Sequence, residues 1–558
     1  MVSQEMPNHT ADDYDSVCDS FSWDSYREAC DWDGETELNF GHESVSRHTG
    51  EDRDNLGLIW RGEDGSEERY TFGELDDESN RVANVLADAG VARGDRVFTY
   101  MPRIPEHYFS ILAILKTGAV FGSINSRYGV DATEYRLEDS RATVVVTVPE
   151  YRDTIAEATE NVDSVEHIVV VDRNDEGVDD DDLDLLAETE GVSTEFDTAK
   201  TGPEDPALLY YTSGTTGPAK GVLHGHKFTI GNAGFTDLPC NMDPDEDLYW
   251  NVADPGWLTG LHPLGAWFWG VPTLIYSGDF DLQEWVSILD EYPVSIFFAV
   301  PTAFRVIMNN DELLDDIDNS VETIISMGEP LNPAVIEWAE ERFGVPILDA
   351  YGTSETYGMT VSNYLFQDVK PGSMGRPHPG IDVKVVEPGT MNEIEPGEIG
   401  EVAIGEYPCT FLEYWERPEK TENATLDGYV MTSDLVELDE EGYLFYQGRA
   451  DDVILSSGYR IGPFDIESSL VEHPAVADAA VVPKPHEEKG NIVKAYVVPS
   501  EDTEQTQEVI DDIKNFVRER HAAHEYPREI EFIDELPMTM TGKIRRTELR
   551  ERTSDPTA

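Results

Sequence analysis

The segment Tyr211-Thr-Ser-Gly-Thr-Thr-Gly-Pro-Ala-Lys-Gly-Val222 constrains this chain more than any other. An apolar, strand-like run (residues 207–211) leads into a loop of small residues and hydroxyls that closes on one lysine, Lys220. Gly214 and Gly217 let backbone N–H groups approach an anion closely, and Thr212, Ser213, Thr215 and Thr216 add hydroxyl donors. That chemistry suits a polyphosphate held at the end of a strand. No Gly-x-x-x-x-Gly-Lys-Ser/Thr occurs here, so this is not a P-loop. A flexible linker would need neither the strand before it nor the lysine after it.

The strand before the loop belongs to a longer alternation. Thr71-Phe-Gly-Glu74 fits a capping box, and Leu75, Val82 and Leu86 follow at helical spacing until Gly90. Residues 97–100 read as a strand, 106–117 as a helix, and 120–124, 143–148 and 168–171 as further β runs. Repeated β-α-β order predicts a largely parallel sheet covered by helices. Residues 172–200 are acidic and poor in apolar side chains, and read as a surface excursion without assigned function. After Gly448 the texture changes: apolar runs at 476–482 and 492–498 precede an amphipathic stretch with Val509, Ile513, Phe516 and Val517, then 530–533. The expected fold class is α/β, with helix-covered, largely parallel sheets in a large N-terminal domain (1–448) and a smaller mobile α+β C-terminal domain (449–558).

The chain has 558 residues and a net charge of −75, which repels phosphate backbones and anionic membranes and so argues against nucleic-acid or lipid-surface binding. Its 39% hydrophobic and 10% aromatic content argues for packed cores rather than disorder. A carboxylate-covered surface suits concentrated salt, where the screening length falls to about 3 Å at 1 M, and a halophilic source is expected. The four cysteines show no Cys-x-x-Cys spacing, which points to a reducing compartment. No signal peptide is read, and the apolar stretch 264–276, interrupted by Gly265, Gly270 and Pro272, is too short to span a bilayer. A cytoplasmic protein without membrane insertion, monomeric or homodimeric, is the expectation.

Four further segments could serve a bound nucleotide. Tyr351-Gly-Thr-Ser-Glu-Thr356 follows an apolar run and sets one acid among hydroxyls, as suits a Mg²⁺ ion that takes few protein oxygens. Thr432-Ser-Asp434 offers a carboxylate for the hydroxyls of a ribose, although Ser-Asp is also cap chemistry. Gly448-Arg-Ala-Asp-Asp-Val-Ile-Leu-Ser-Ser-Gly-Tyr-Arg-Ile-Gly462 places Arg449 and Arg460 beside glycines, which in so acidic a chain suggests anion recognition. Pro537-Met-Thr-Met-Thr-Gly-Lys543-Ile-Arg-Arg546 puts a lysine on a glycine-containing loop near the end.

Taken together, and in this order over residues 60–549, the segments resemble the adenylate-forming superfamily of acyl- and aryl-CoA synthetases, peptide-synthetase adenylation domains and firefly-type luciferases. Ser457-Gly-Tyr-Arg-Ile-Gly-Pro463 looks most like medium-chain acyl-CoA synthetases, and Asp254-Pro-Gly-Trp-Leu-Thr259 is similar to acetyl-CoA synthetases. The resemblance implies an AMP-forming acid–thiol ligase that converts ATP, a carboxylic acid and CoA through an acyl-adenylate. It implies that Lys543 bridges the acyl carboxylate and the α-phosphate and that Glu355 binds Mg²⁺. It matches Thr212, Ser213, Thr215, Thr216 and Ser354 to phosphate contacts and Gly328, Glu329, Pro330 and Asp349 to the adenine-facing wall, and counts Gly214, Ala350, Tyr351, Gly352 and Thr353 among the ATP/AMP-binding residues. Asp434 matches the ribose carboxylate, Arg449 a nucleotide contact, Asp451 the hinge, and Gly458, Tyr459 and Arg460 the CoA site. The acyl pocket of relatives matches Trp257, Leu258, Thr259, Met327, Gly352 and Tyr357. Acetate-specific relatives carry tryptophan where this chain has Gly352, so a short- to medium-chain or aromatic acid is expected, with Tyr357 taking back some space. His224 and His226 are expected to cap or pack beside the loop rather than bind zinc. An acetate or propionate ligase, an amino-acid-type adenylating enzyme and a non-catalytic nucleotide-binding protein stay open as alternatives.

Overall fold

In the computed structural model the described residues are 13–212, 218–315, 317, 319–450, 452, 454–456, 459–486, 490–500, 503–520, 526–538 and 544–554. The chain forms two compact units. The first runs to Pro371 and takes in Gly375–Asp382 and Gly405–Val430; the second comprises Gly372–Met374, Val383–Ile404 and the chain from Met431 onward.

Two large sheets organise the first unit. In one, the strands Val120–Ser123, Arg96–Tyr100, Val144–Thr147 and His167–Val170 run parallel, and Val120–Ser123 also pairs in parallel with Pro206–Thr212. Lys220–Gly225 then returns antiparallel to Pro206–Thr212, and the short edge strand Glu413–Tyr414 pairs with it. In the other sheet, Leu56–Arg61, Thr273–Tyr276, Tyr249–Asn251, Ile296–Ala299, Thr323–Met327 and Ile347–Tyr351 are mutually parallel neighbours, with antiparallel strands at both edges. Most central strands are buried along nearly their whole length, which is why they read as continuous apolar runs rather than alternating ones.

Local sequence explains the helices that cover these sheets. Thr71 accepts from the Glu74 N–H while the Glu74 carboxylate accepts from the Thr71 N–H, so the capping box starts the helix Phe72–Asp88 as the pattern predicts. Pro105 opens the helix Pro105–Thr117 and Gly118, at φ +75°, ends it; every residue between is buried, including Lys116. That ammonium is satisfied by Asp76 (2.8 Å), Ser79 (2.7 Å) and Asn80 (2.9 Å) of the neighbouring helix. The acidic excursion is pinned to the same helix, Asn80 and Asn84 donating to the carbonyls of Thr194 and Ser193, and Asp182 pairs with Arg152.

The second unit contains two smaller sheets. Val383–Val386 pairs antiparallel with Ile399–Gly405, and Tyr429–Leu438 with Leu444–Arg449. The other sheet joins Tyr459–Ile461, Ile454–Ser456, Gly490–Pro499 and Val476–His486, with Glu529–Phe532 parallel to Gly490–Pro499. Ile466 and Leu470 of the helix Pro463–Val471, with Ile513 and Val517 of Gln507–Arg520, close its core over Val481, Ala495 and Val497. Each such aliphatic side chain contributes about 1.5–3 kcal/mol on full burial. Among the described residues no helix is long and apolar enough to cross a membrane.

Candidate active site

The site grows from the carboxyl ends of two adjacent parallel strands, where open α/β sheets place their ligands. Parallel register pairs Ser326 with Asp349 and Met327 with Ala350. The chain therefore leaves one strand into Gly328-Glu-Pro330 and the other into Tyr351-Gly-Thr-Ser-Glu355 at the same sheet edge. Gly328 turns at φ +101°, a conformation that favours glycine. Glu329 accepts a hydrogen bond from Thr302 (2.7 Å) and lies 3.7 Å from Arg305. Asp349 is buried, and burial drives its carboxyl well above its ordinary value, opposed only by the Ala350 N–H.

The turn after Tyr351 is held from several directions. Its own backbone closes it, the Tyr357 N–H donating to the Thr353 carbonyl (2.7 Å). His224 Nε2 meets the Ser354 carbonyl at 2.8 Å, and the Phe411 N–H donates to the Glu355 carbonyl (2.8 Å). The Tyr407 hydroxyl donates to the carbonyls of Thr356 and Tyr357. Glu355 Oε1 accepts the Tyr414 hydroxyl at 2.6 Å, which leaves Oε2 for a ligand. Among the described residues no three His, Cys, Asp or Glu side chains gather as a metal cage. A single carboxylate oxygen fits Mg²⁺, which keeps most of its waters or takes phosphate oxygens.

Thr212 closes the strand Pro206–Thr212 directly opposite Lys220 in the antiparallel register. Lys220 Nζ lies 4.1 Å from the centre of the Tyr414 ring. Ser213, Gly214, Thr215 and Thr216 lie outside the described residues. The two histidines after the loop are packed, as expected. Burial lowers His224 to about 4 and His226 to about 3, and His226 Nδ1 accepts the Phe40 N–H (3.1 Å).

The segment carrying Trp257 is fixed by Asp254, whose Oδ1 accepts from Gly256 N–H (2.7 Å) and Asn125 (3.1 Å), and by Tyr210, whose hydroxyl donates to the Pro255 carbonyl (2.8 Å). Trp257 and Thr259 are half-buried; Leu258 and Met327 are buried. Tyr357, at φ +38°, turns its ring into an aromatic layer 4.2 Å from Phe228 and 5.4 Å from His262, and its hydroxyl donates to Asn232 Oδ1 (2.9 Å). Only 2% of Tyr357 is exposed, so its volume is committed to that layer. A Cβ built on Gly352 would collide with the Gly358 carbonyl oxygen. The backbone of the turn itself demands glycine at 352, before any question of pocket size arises.

The second unit holds the remaining candidates. Asp434 and Arg449 face each other across an antiparallel pair, with Arg449 Nη1 3.3 Å from Asp434 Oδ1. Tyr459 and Arg460 lie on the strand Tyr459–Ile461. Asp451, Gly458 and Lys543 lie outside the described residues. The structure also brings in residues that the sequence did not single out: Tyr414, Tyr407 and Asn232 behind the turn, and a hub in the second unit. There Arg546, half-buried, reaches both oxygens of the buried Glu467 (2.6 and 2.8 Å), and half-buried Asp452 pairs with Arg550. Tyr414 stands 59 positions from Glu355, so no local pattern announces the pair.

Comparison with known proteins agrees with this architecture. Residues 46–415 match the AMP-binding enzyme family and residues 465–543 the AMP-binding enzyme C-terminal domain. An acetyl-coenzyme A synthetase of Bacillus subtilis is 38% identical over 97% of this chain and 95% of its own length. The crystal structure of a Brucella canis acyl-CoA synthetase superposes with a TM-score of 0.76 at 34% identity, covering 98% of this chain and 100% of that one. An anthranilate CoA ligase in complex with anthranoyl-AMP gives a TM-score of 0.85 at 28% identity, over 93% and 98% of the two chains.

Proposed function

The chain belongs to the AMP-binding enzyme family and is an AMP-forming acyl-CoA synthetase, an acid–thiol ligase; on that premise we propose how its residues divide the work and which acids it takes. The observation that carries the reading is the convergence of Gly328–Pro330 and the Tyr351–Glu355 turn at the ends of neighbouring parallel strands.

In the first half-reaction a carboxylate oxygen attacks the α-phosphorus of ATP, the bond to the bridging oxygen breaks, and pyrophosphate leaves. In the second, the CoA sulfur attacks the carbonyl carbon of the mixed anhydride, losing its proton, and AMP leaves. The first step brings like charges together, each pair costing roughly 4 kcal/mol at about 4 Å and an effective dielectric near 20. Lys543 offsets that cost, its compact ammonium reaching both the acid and the α-phosphate. Thr212 with Ser213 to Thr216, and Thr353 with Ser354, donate to the phosphates. Gly328–Pro330 and Asp349 wall the adenine, Asp434 holds the ribose, and Arg449 contacts the nucleotide. Glu355 holds Mg²⁺, which supplies charge neutralisation to the phosphates when bound. The segment after Gly448 pivots at Asp451, presenting Lys543 for adenylation and Gly458, Tyr459 and Arg460 for CoA. Such alternation keeps water from the anhydride.

The acid is a short- to medium-chain or aromatic monocarboxylate. The Tyr357 ring, drawn into the layer of Phe228, supports room beyond a methyl group. Each buried CH₂ is worth only about 0.8 kcal/mol, so preference among chain lengths is broad. The similarity to an acetyl-coenzyme A synthetase favours acetate as the second reading. A panel of acetate, butyrate, hexanoate and benzoate, assayed for CoA-dependent AMP formation in concentrated KCl, separates them. Acetate turning over roughly tenfold better than the others would overturn the first reading.

The charge of −75 and free cysteines, three buried and Cys18 exposed, support a salt-rich, reducing cytoplasm. Loss of structure as KCl is raised would refute the halophilic assignment. A monomer or homodimer is proposed, to be read from sedimentation at working salt.

A further inference from the structure

We propose that Tyr414 is the positioning residue that sets the ligand geometry of Glu355, and that Lys220 acts on that carboxylate through the Tyr414 ring. The proposal rests on the reading of Glu355 as the Mg²⁺ ligand.

Two independent contacts from one short segment grip Glu355. The Phe411 N–H donates to its carbonyl at 2.8 Å, and the Tyr414 hydroxyl donates to its Oε1 at 2.6 Å. The first fixes the backbone, the second the carboxylate plane. A tyrosine can do this only if its own ring is held. Tyr414 is 4% exposed, its backbone pairs with Val222 on the edge of the sheet, and its ring packs with Val222, Phe411 and Val430. Its N–H donates to Thr421 Oγ1 at 2.9 Å, which fixes the segment from the other side.

With Oε1 accepting from the phenol, a cation would meet the carboxylate through Oε2. That is the mode a small, strongly hydrated divalent ion demands. Outer partners of this kind orient a ligand and are worth about 10–100-fold in metal affinity.

Lys220 completes the arrangement. Its ammonium lies 4.1 Å from the centre of the Tyr414 ring, so it draws electron density from the phenol and strengthens the O–H as a donor. Lys220 of the 211–222 segment is thereby coupled to the Glu355 carboxylate through one aromatic ring, although the two are far apart in sequence.

The test uses the full-length enzyme with Mn²⁺ as the probe ion and α,β-methylene-ATP, read by electron paramagnetic resonance, so that affinity is measured without turnover. Tyr414→Phe keeps the ring and its packing and removes only the donor; circular dichroism checks the fold. We expect Mn²⁺ affinity to fall about tenfold, with the KM for metal–ATP in pyrophosphate exchange rising more than kcat falls. Lys220→Met should weaken Mn²⁺ about threefold in the wild-type background and leave the Tyr414→Phe background unchanged, the coupling that a purely structural lysine lacks. Glu355→Gln anchors the comparison. If it abolishes tight Mn²⁺ binding while Tyr414→Phe stays within twofold of wild type, the positioning role is overturned and the metal reading survives. If Glu355→Gln itself binds Mn²⁺ as wild type does, the metal reading falls and the proposal with it.

Discussion

Two carboxylates, Glu355 in the first unit and Glu467 in the second, are held in opposite ways. Glu355 is held by neutral groups in direct contact, the Tyr414 phenol on its carboxylate and the Phe411 N–H on its carbonyl, with His224 on the adjoining Ser354 carbonyl. Glu467 is buried and satisfied by charge, taking both its oxygens to Arg546 and one also to the Val481 N–H at 2.7 Å. Burial pushes the Glu467 carboxyl up and the guanidinium opposes it. The contrast separates two uses of one functional group. Glu355 offers one carboxylate oxygen to a ligand, whereas both oxygens of Glu467 are taken up by structure.

Acid should break the two regions unequally, and this is the largest effect expected. In the first unit burial holds His48, His107 and His224 at about 4, and His226 and His262 at about 3. Each lies below the unfolded value of about 6.5, so the unfolded chain takes up protons first. Their contribution is complete above about pH 6.5 and is lost as pH falls towards 4. Tryptophan fluorescence in concentrated KCl should report cooperative unfolding of the first unit in that window. Unchanged stability from pH 7 to 4.5 would erase the distinction.

Next in size is Lys543→Ala, for which adenylation should slow about a thousandfold in pyrophosphate exchange. A rate near wild type would mean that the neutral turn alone supports chemistry. Arg546→Ala leaves Glu467 buried without its cation and should destabilise the second unit by about 3 kcal/mol. A shift below about 0.5 kcal/mol in denaturant unfolding would show that the hub carries no such load. The smallest effect belongs to the neutral side: Asn232→Ala removes the acceptor of the Tyr357 hydroxyl and should cost about 1–2 kcal/mol. It should also change the relative kcat/KM of benzoate and hexanoate, and an unaltered ratio would detach Tyr357 from the acyl wall.

Much of the fold was legible because it is local. The Thr71 capping box, the helix closed by Gly118 and the buried strands each announce themselves within a few residues. The apolar runs at 476–482 and 492–498 are the paired strands Val476–His486 and Gly490–Pro499. The site was legible only as segments. Asn232 and Tyr357 lie 125 positions apart, and Glu467 and Arg546 lie 79 apart. A hydrogen bond between such residues leaves no periodicity or spacing to read. The same holds for Gly372–Met374 and Val383–Ile404, which join the second unit from within the span expected to form the first domain. The Met374 N–H donates to the Leu444 carbonyl (2.9 Å), a partner that only the folded chain reveals.

The collision awaiting any side chain at Gly352 bears on how this enzyme could be re-engineered or diverge. Bulk introduced there meets main chain, not a side chain that can swing aside, so the carbonyl of Gly358 must move first. Under the proposed acyl-pocket role of Gly352, narrowing the pocket for a two-carbon acid would take two changes, the first of them at the far end of the loop. Libraries randomised at that single codon should return misfolded clones, while paired diversification should open the path.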